Sequence, residues 1–104
     1  MIVKTLLDVT SQASPVDGST FDLEMPKGNR GLVQVNRTAG TGSLIVKIQG
    51  RLSPSMAFVD ISNGTITQAG TGSTAVEDIQ LYPEMRAILS TVPNSSDVVV
   101  QLGC

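Results

Sequence analysis

Short runs rich in Val, Ile and Thr, each broken by Gly, Pro or Asn before it reaches about ten residues, leave this chain few folds to choose from. Side chains branched at Cβ are stiff about χ1 and fit a pleated, half-buried surface better than a helix. Val and Ile together number 19 and Thr 10, against ten Gly and five Pro, so β-formers are abundant and turns are frequent. That spacing predicts an all-β fold, an antiparallel β-sandwich or barrel of about eight or nine short strands. Nothing in the 104 residues resembles a linker, so a single domain spanning 1–104 is expected. A chain of this size buries roughly two-thirds of its unfolded surface and needs no metal or disulfide staple.

The first strand is predicted over residues 2–9, followed by a polar loop containing Ser14-Pro15-Val16-Asp17-Gly18. Over 20–25, Phe21, Leu23 and Met25 alternate with Asp22 and Glu24, and Pro26-Lys27-Gly28-Asn29 then turns the chain. Residues 31–36 set Val33 and Val35 opposite Leu32 and Gln34. The most apolar strands are expected at 44–52 and 56–61, separated by Ser53-Pro54-Ser55, because Pro54 cannot donate to a ladder. Asn63-Gly64 tolerates positive φ and reads as a type I′ hairpin turn, with 65–69 as the return strand. Thr74-x-x-Glu77 fits a helix capping box. Pro83 restricts any helix there, however, and Met85, Ala87 and Leu89 alternate with Arg86, Ile88 and Ser90, which favours strands. A last strand covers 97–102. Ala39-Gly40-Thr41-Gly42-Ser43 recurs as Ala69-Gly70-Thr71-Gly72-Ser73, and neither copy continues into a phosphate-binding glycine motif. Both read as surface loops joining strands.

The chemistry available is narrow. The chain has no His or Trp and one Cys, so no Ser-His or Cys-His pair can form and zinc would find only carboxylates. Seven Lys and Arg against nine Asp and Glu leave a net charge of −2, without the basic field that holds nucleic acid. Paired carboxylates remain open to a glycosidase, but the acids fall at expected strand exteriors and turns, and no enzyme activity is expected. Asp17-Gly18-Ser19 and Ser62-Asn63-Gly64 carry oxygen ligands without matching a calcium loop, so turn chemistry accounts for them, and no cofactor or metal is expected. The N-terminus lacks the pattern of a signal peptide and no apolar run approaches a membrane span, so synthesis in a cytoplasm, starting at or near Met1, is expected. Asn36, Asn63 and Asn94 then sit in glycosylation triplets by chance. Cys104 reads as a mobile surface thiol, with an intermolecular disulfide as the alternative. Phe21 and Phe58 lie within apolar alternation and are expected in the core, with Tyr82 as a partly exposed anchor.

A second apolar face is the informative departure from simple alternation. Ile45 opposes Leu44 and Val46, Met56 and Phe58 alternate with Ala57, Val59 and Ile61, and Ile88 and Val99 likewise point away from their apolar neighbours. A solvated antiparallel face should be mostly polar. Either a central sheet is buried inside the monomer, or a partner covers one face.

The segments Val46-Lys47-Ile48-Gln49-Gly50-Arg51-Leu52 and Met56-Ala57-Phe58-Val59-Asp60-Ile61 carry a resemblance. It continues through Ile79-Gln80-Leu81-Tyr82-Pro83-Glu84-Met85-Arg86-Ala87-Ile88-Leu89 and Val98-Val99-Val100-Gln101-Leu102. In strand order and texture, residues 44–102 resemble the small β-sandwich virion proteins of tailed bacteriophages, above all jelly-roll capsid decoration (cement) proteins. The resemblance implies a jelly-roll-like sandwich without cofactors, made in the host cytoplasm and placed on the capsid surface of the virion. Its implied partners are the major capsid protein of the shell and further copies of itself, as a homodimer or homotrimer, with no nucleic acid and no membrane. The implied function is to bridge and stabilise neighbouring shell subunits. The alternative is a receptor- or glycan-binding module of a head or tail fibre. Interface contacts expected on this reading are Ile2, Val3, Ile45, Met56, Phe58 and Ile88, with Arg37 and Arg51 as polar anchors.

Overall fold

A computed structural model of the chain describes residues 3–22 and 30–104. Its strands are β1 (Val3–Gln12), β2 (Val16–Asp17), β3 (Phe21–Asp22), β4 (Arg30–Ala39), β5 (Ser43–Arg51), β6 (Val59–Ala69), β7 (Gly72–Gln80), β8 (Glu84–Thr91) and β9 (Ser96–Gly103). One sheet has the order β1-β9-β4-β7. The other has the order β2-β8-β5-β6, with β3 also pairing β8, and every pairing in both sheets is antiparallel. Because β2 and β3 follow one another along the same edge of β8, they act as one interrupted strand. The chain therefore passes from the first sheet to the second and back repeatedly, and among the described strands only β5 and β6 are adjacent in both sequence and sheet. This is the winding of a jelly roll.

Period-two alternation builds the core. Val33 and Val35 of β4, Leu44, Val46 and Ile48 of β5, Met85, Ala87 and Leu89 of β8, and Val98, Val100 and Leu102 of β9 are buried in one cluster. The region 74–92 is built from the strands β7 and β8, as its alternation implies, and the capping-box reading is not realised. In β1, Leu6 and Leu7 are consecutive yet both buried. The register slips by one residue between Thr5 and Leu7, and that bulge returns the second leucine to the core side.

Three local expectations are corrected, and a fourth falls only partly within the described residues. Asn63-Gly64 closes no hairpin: β6 runs through it, and residues 61–64 bulge opposite Ile48 alone, between the pairs Lys47↔Thr65 and Gln49↔Asp60. Asn63 does take the positive φ of 65° that its side chain tolerates, but it uses it for a kink within a strand. The strand expected at 56–61 begins only at Val59, because residues 52–58 form a loop with a turn closed by Met56 N–H donating to the Ser53 carbonyl (3.0 Å). The strand expected at 20–25 is described only as Phe21–Asp22, and Leu23, Met25 and the turn at 26–29 lie outside the described residues. Cys104 is half-buried against the core cluster and does not project freely as a surface thiol would.

Candidate functional site

The outer face of the β8-β5 pair is a network of charges closed upon itself. Antiparallel register sets Arg51 opposite Glu84, Gln49 opposite Arg86 and Lys47 opposite Ile88. Arg51 donates through Nε (2.9 Å) and Nη2 (2.8 Å) to Glu84 Oε1. Arg86 Nε donates to Gln49 Oε1 at 2.9 Å, while Gln49 Nε2 donates to Asp60 Oδ1 at 2.8 Å. Asp17 lies 3.5 Å from Arg86 Nη1, and Asp60 lies 3.9 Å from Lys47 Nζ. Each cation of this group faces an acid of the same chain.

Over this network lies Phe58. Its ring is covered by two guanidinium groups, with Arg86 Cζ 4.1 Å and Arg51 Cζ 4.3 Å from the centroid. Each such contact contributes roughly 0.5–1 kcal/mol at a partly exposed site. Phe58 is therefore no core residue: it pins the 52–58 loop across the sheet. That loop and the first residue of β6 present Leu52, Met56 and Val59, which are 67%, 53% and 48% exposed. Val3 is the other large apolar side chain exposed to this degree among the described residues, and it belongs to the opposite sheet.

Of the expected contact residues, the structure brings Arg51, Met56 and Phe58 together on the β5–β6 loop and its support. Ile45 and Ile88 are half-buried on the same outer face. Val3 is exposed on β1, away from that group in topology, and Ile2 lies outside the described residues. Leu52, Val59 and Arg86 belong to the site and were not singled out. The Ser53-Pro54-Ser55 break was the available signal, since a loop there frees the apolar residues on either side from strand alternation.

Arg37 is corrected outright. It is 1% exposed and cannot be a surface anchor. Its guanidinium is enclosed by main-chain oxygens of the two copies of the repeated loop. Nη1 donates to the carbonyls of Gly42 (2.5 Å), Gln68 (3.2 Å) and Gly70 (3.4 Å), and Nη2 donates to the Thr41 carbonyl and to Ser96 Oγ, both at 2.9 Å. The repeats are two of the corners where the chain crosses between sheets, from β4 to β5 and from β6 to β7. They meet directly, with Gly70 N–H donating to the Gly42 carbonyl at 3.2 Å. What sequence presents as two independent surface loops is one structure clamped by a buried arginine.

The outer face of the four-stranded sheet has a different character. Rows of paired residues run Thr5–Gln101–Gln34–Ala75 and Asp8–Val99–Asn36–Ser73. A shallow depression of about 350 Å³ is lined by Gln34, Asn36, Ser73, Val99 and Gln101. Among the described residues, no group of three or more Cys, Asp or Glu is placed to hold a metal ion. Comparison with known proteins finds no family model, no curated protein and no solved structure that matches the chain.

Proposed function

We propose that this chain is a non-catalytic virion structural protein, a capsid decoration protein that docks on an assembled shell and bridges neighbouring subunits. The observation that carries this reading is the β5–β6 loop, where Leu52, Met56 and Val59 are exposed on a segment anchored by Phe58 between Arg51 and Arg86. An apolar surface already held in place loses little conformational freedom on docking, so more of its burial is expressed as affinity. The jelly-roll winding is the fold that the resemblance to decoration proteins implies, and it supports the same reading. Binding the assembled shell but not free subunits stabilises the assembled state by mass action.

Quantitative mass spectrometry of particles purified from the source of the gene tests the assignment. A copy number that is a simple fraction of the shell subunits is the expected result. A handful of copies would move the chain to a fibre, as a receptor-binding module, and none would remove it from the virion. The docking surface has its own test. The double variant Leu52→Asp/Met56→Asp should keep its fold by circular dichroism, because both side chains are exposed, yet lose shell binding by tenfold or more, the equivalent of about 1.4 kcal/mol. Unchanged binding would assign docking to another surface.

A further inference from the structure

The kink in β6 makes a demand on each residue of Asn63-Gly64. Position 63 has a φ of 65°, which asparagine tolerates through its short polar side chain. Position 64 has no room for a side chain, since a Cβ there would lie 2.8 Å from the Ile61 carbonyl oxygen and 3.0 Å from that of Ile48. Asparagine followed by glycine is also the dipeptide that cyclises most readily, because without a Cβ nothing shields the glycine nitrogen from the side-chain carbonyl. The geometry of the kink therefore retains a reactive pair. We infer that Asn63-Gly64 is a site of spontaneous covalent modification in the folded chain, where the carboxamide is lost through a cyclic imide and an acid replaces it.

The step needs only water. The Gly64 nitrogen forms a bond to Asn63 Cγ, the Cγ–Nδ2 bond breaks, and Nδ2 leaves as ammonia with the proton that Gly64 gives up through solvent. Water then opens the imide at either carbonyl, leaving aspartate or isoaspartate at position 63. Asn63 is exposed, and its carboxamide makes no hydrogen bond among the described residues. Residues 61–64 stand opposite Ile48 alone, so the backbone of the kink can move without breaking a one-to-one ladder. The other described asparagines are held. Asn36 accepts from Ser73 Oγ at 2.8 Å and precedes the buried Arg37. Asn94 accepts from the Thr41 N–H at 3.0 Å and donates to Thr41 Oγ1 at 2.6 Å. Isoaspartate would add one carbon to the main chain where β6 is already out of step with β5. The pairs Lys47↔Thr65 and Gln49↔Asp60 on either side can then stay in place. This chemistry is independent of the docking partner proposed above.

Incubation of the full, folded chain in mildly alkaline buffer, with peptide mass mapping at intervals, tests the inference. Peptides spanning Asn63 should gain the mass that replaces NH2 by OH about tenfold or more faster than those spanning Asn36 or Asn94. The product should separate into an aspartate and an isoaspartate form. The intact chain should add one negative charge to its net −2 and keep its circular dichroism spectrum. Asn63→Gly, which preserves the positive φ, should lose this early gain of charge. A reaction at Asn63 more than about tenfold slower than in the same chain unfolded in urea would overturn the inference, because the fold would then lock the pair. Charge gained by Asn63→Gly at the wild-type rate, or product found only in chains that have lost their fold, would overturn it equally.

Discussion

Arg37 shows how one residue changes meaning with its surroundings. Cationic and flanked by polar neighbours in sequence, it reads as a surface anchor. In the fold, it satisfies carbonyls from the β4–β5 and β6–β7 corners at once, and its own Nε is left without a partner. Removing it strands several buried acceptors together. Arg37→Met should therefore cost about 3 kcal/mol or more in urea denaturation. Arg37→Lys should recover little of that, since a single ammonium lacks the planar fork that reaches the two loops and Ser96 together. A loss below ~1 kcal/mol would mean that water replaces the guanidinium. The repeat illustrates the same dependence on context. Gly40 and Gly70 occupy equivalent positions and both have positive φ, 115° and 74°. A Cβ on Gly70 would meet nothing within 4 Å, whereas one on Gly40 would sit 2.4 Å from Ser96 Oγ and 2.8 Å from Arg37 Nη2. Identical sequence thus leaves open space beside Gly70 and none beside Gly40.

At the scale of elements, alternation was a sound guide wherever a strand buries one face. The core sides of β4, β5, β8 and β9 follow directly from the order of Val, Leu, Ile and Met with polar residues. It failed at the irregularities. Asn63-Gly64 carries the strongest short-range hairpin signal in the chain, yet β6 continues through it, because both flanking segments find partners along β5. The backbone requirement at Asn63 survives that change of context. Asn63→Val should lose about 1–2 kcal/mol, since a β-branched residue is strained at positive φ, and Asn63→Gly should be nearly neutral by thermal melting. Equal stability of the two variants would show that the kink relaxes. The candidate docking site was half legible for a related reason. Met56, Phe58 and Arg51 stood out as apolar or charged residues in an apolar region, but their arrangement was not visible. Phe58 lies outside the core because the turn after Pro54 takes its segment out of strand alternation, and cross-strand register then brings two arginines over its ring.

For the whole molecule, the ends of the chain are structural neighbours: β1 pairs with β9, which in turn pairs with β4. Neither sheet can be completed from one local stretch, so folding must close long loops before the pairing repays their entropy. Refolding after denaturant dilution should take milliseconds to seconds. Tyr82 is a suitable fluorescence probe, since its ring packs so closely on Gly50 that an added Cβ there would lie 2.5 Å from Cγ. Submillisecond refolding would indicate that a local hairpin, such as β5-β6, already supplies most of the nucleus. The amino-acid sequence by itself determined the all-β class, the short strands, the residues facing the core and the poverty of titrating chemistry. These depend on side-chain shape, charge and period two, which are local properties. Only the tertiary structure decided which strands are neighbours, that the two repeats meet under one buried arginine, and that the 52–58 loop lies across the five-stranded sheet. Pairing between distant strands depends on how two sheets close over one core, and that closure is a property of the whole chain at once.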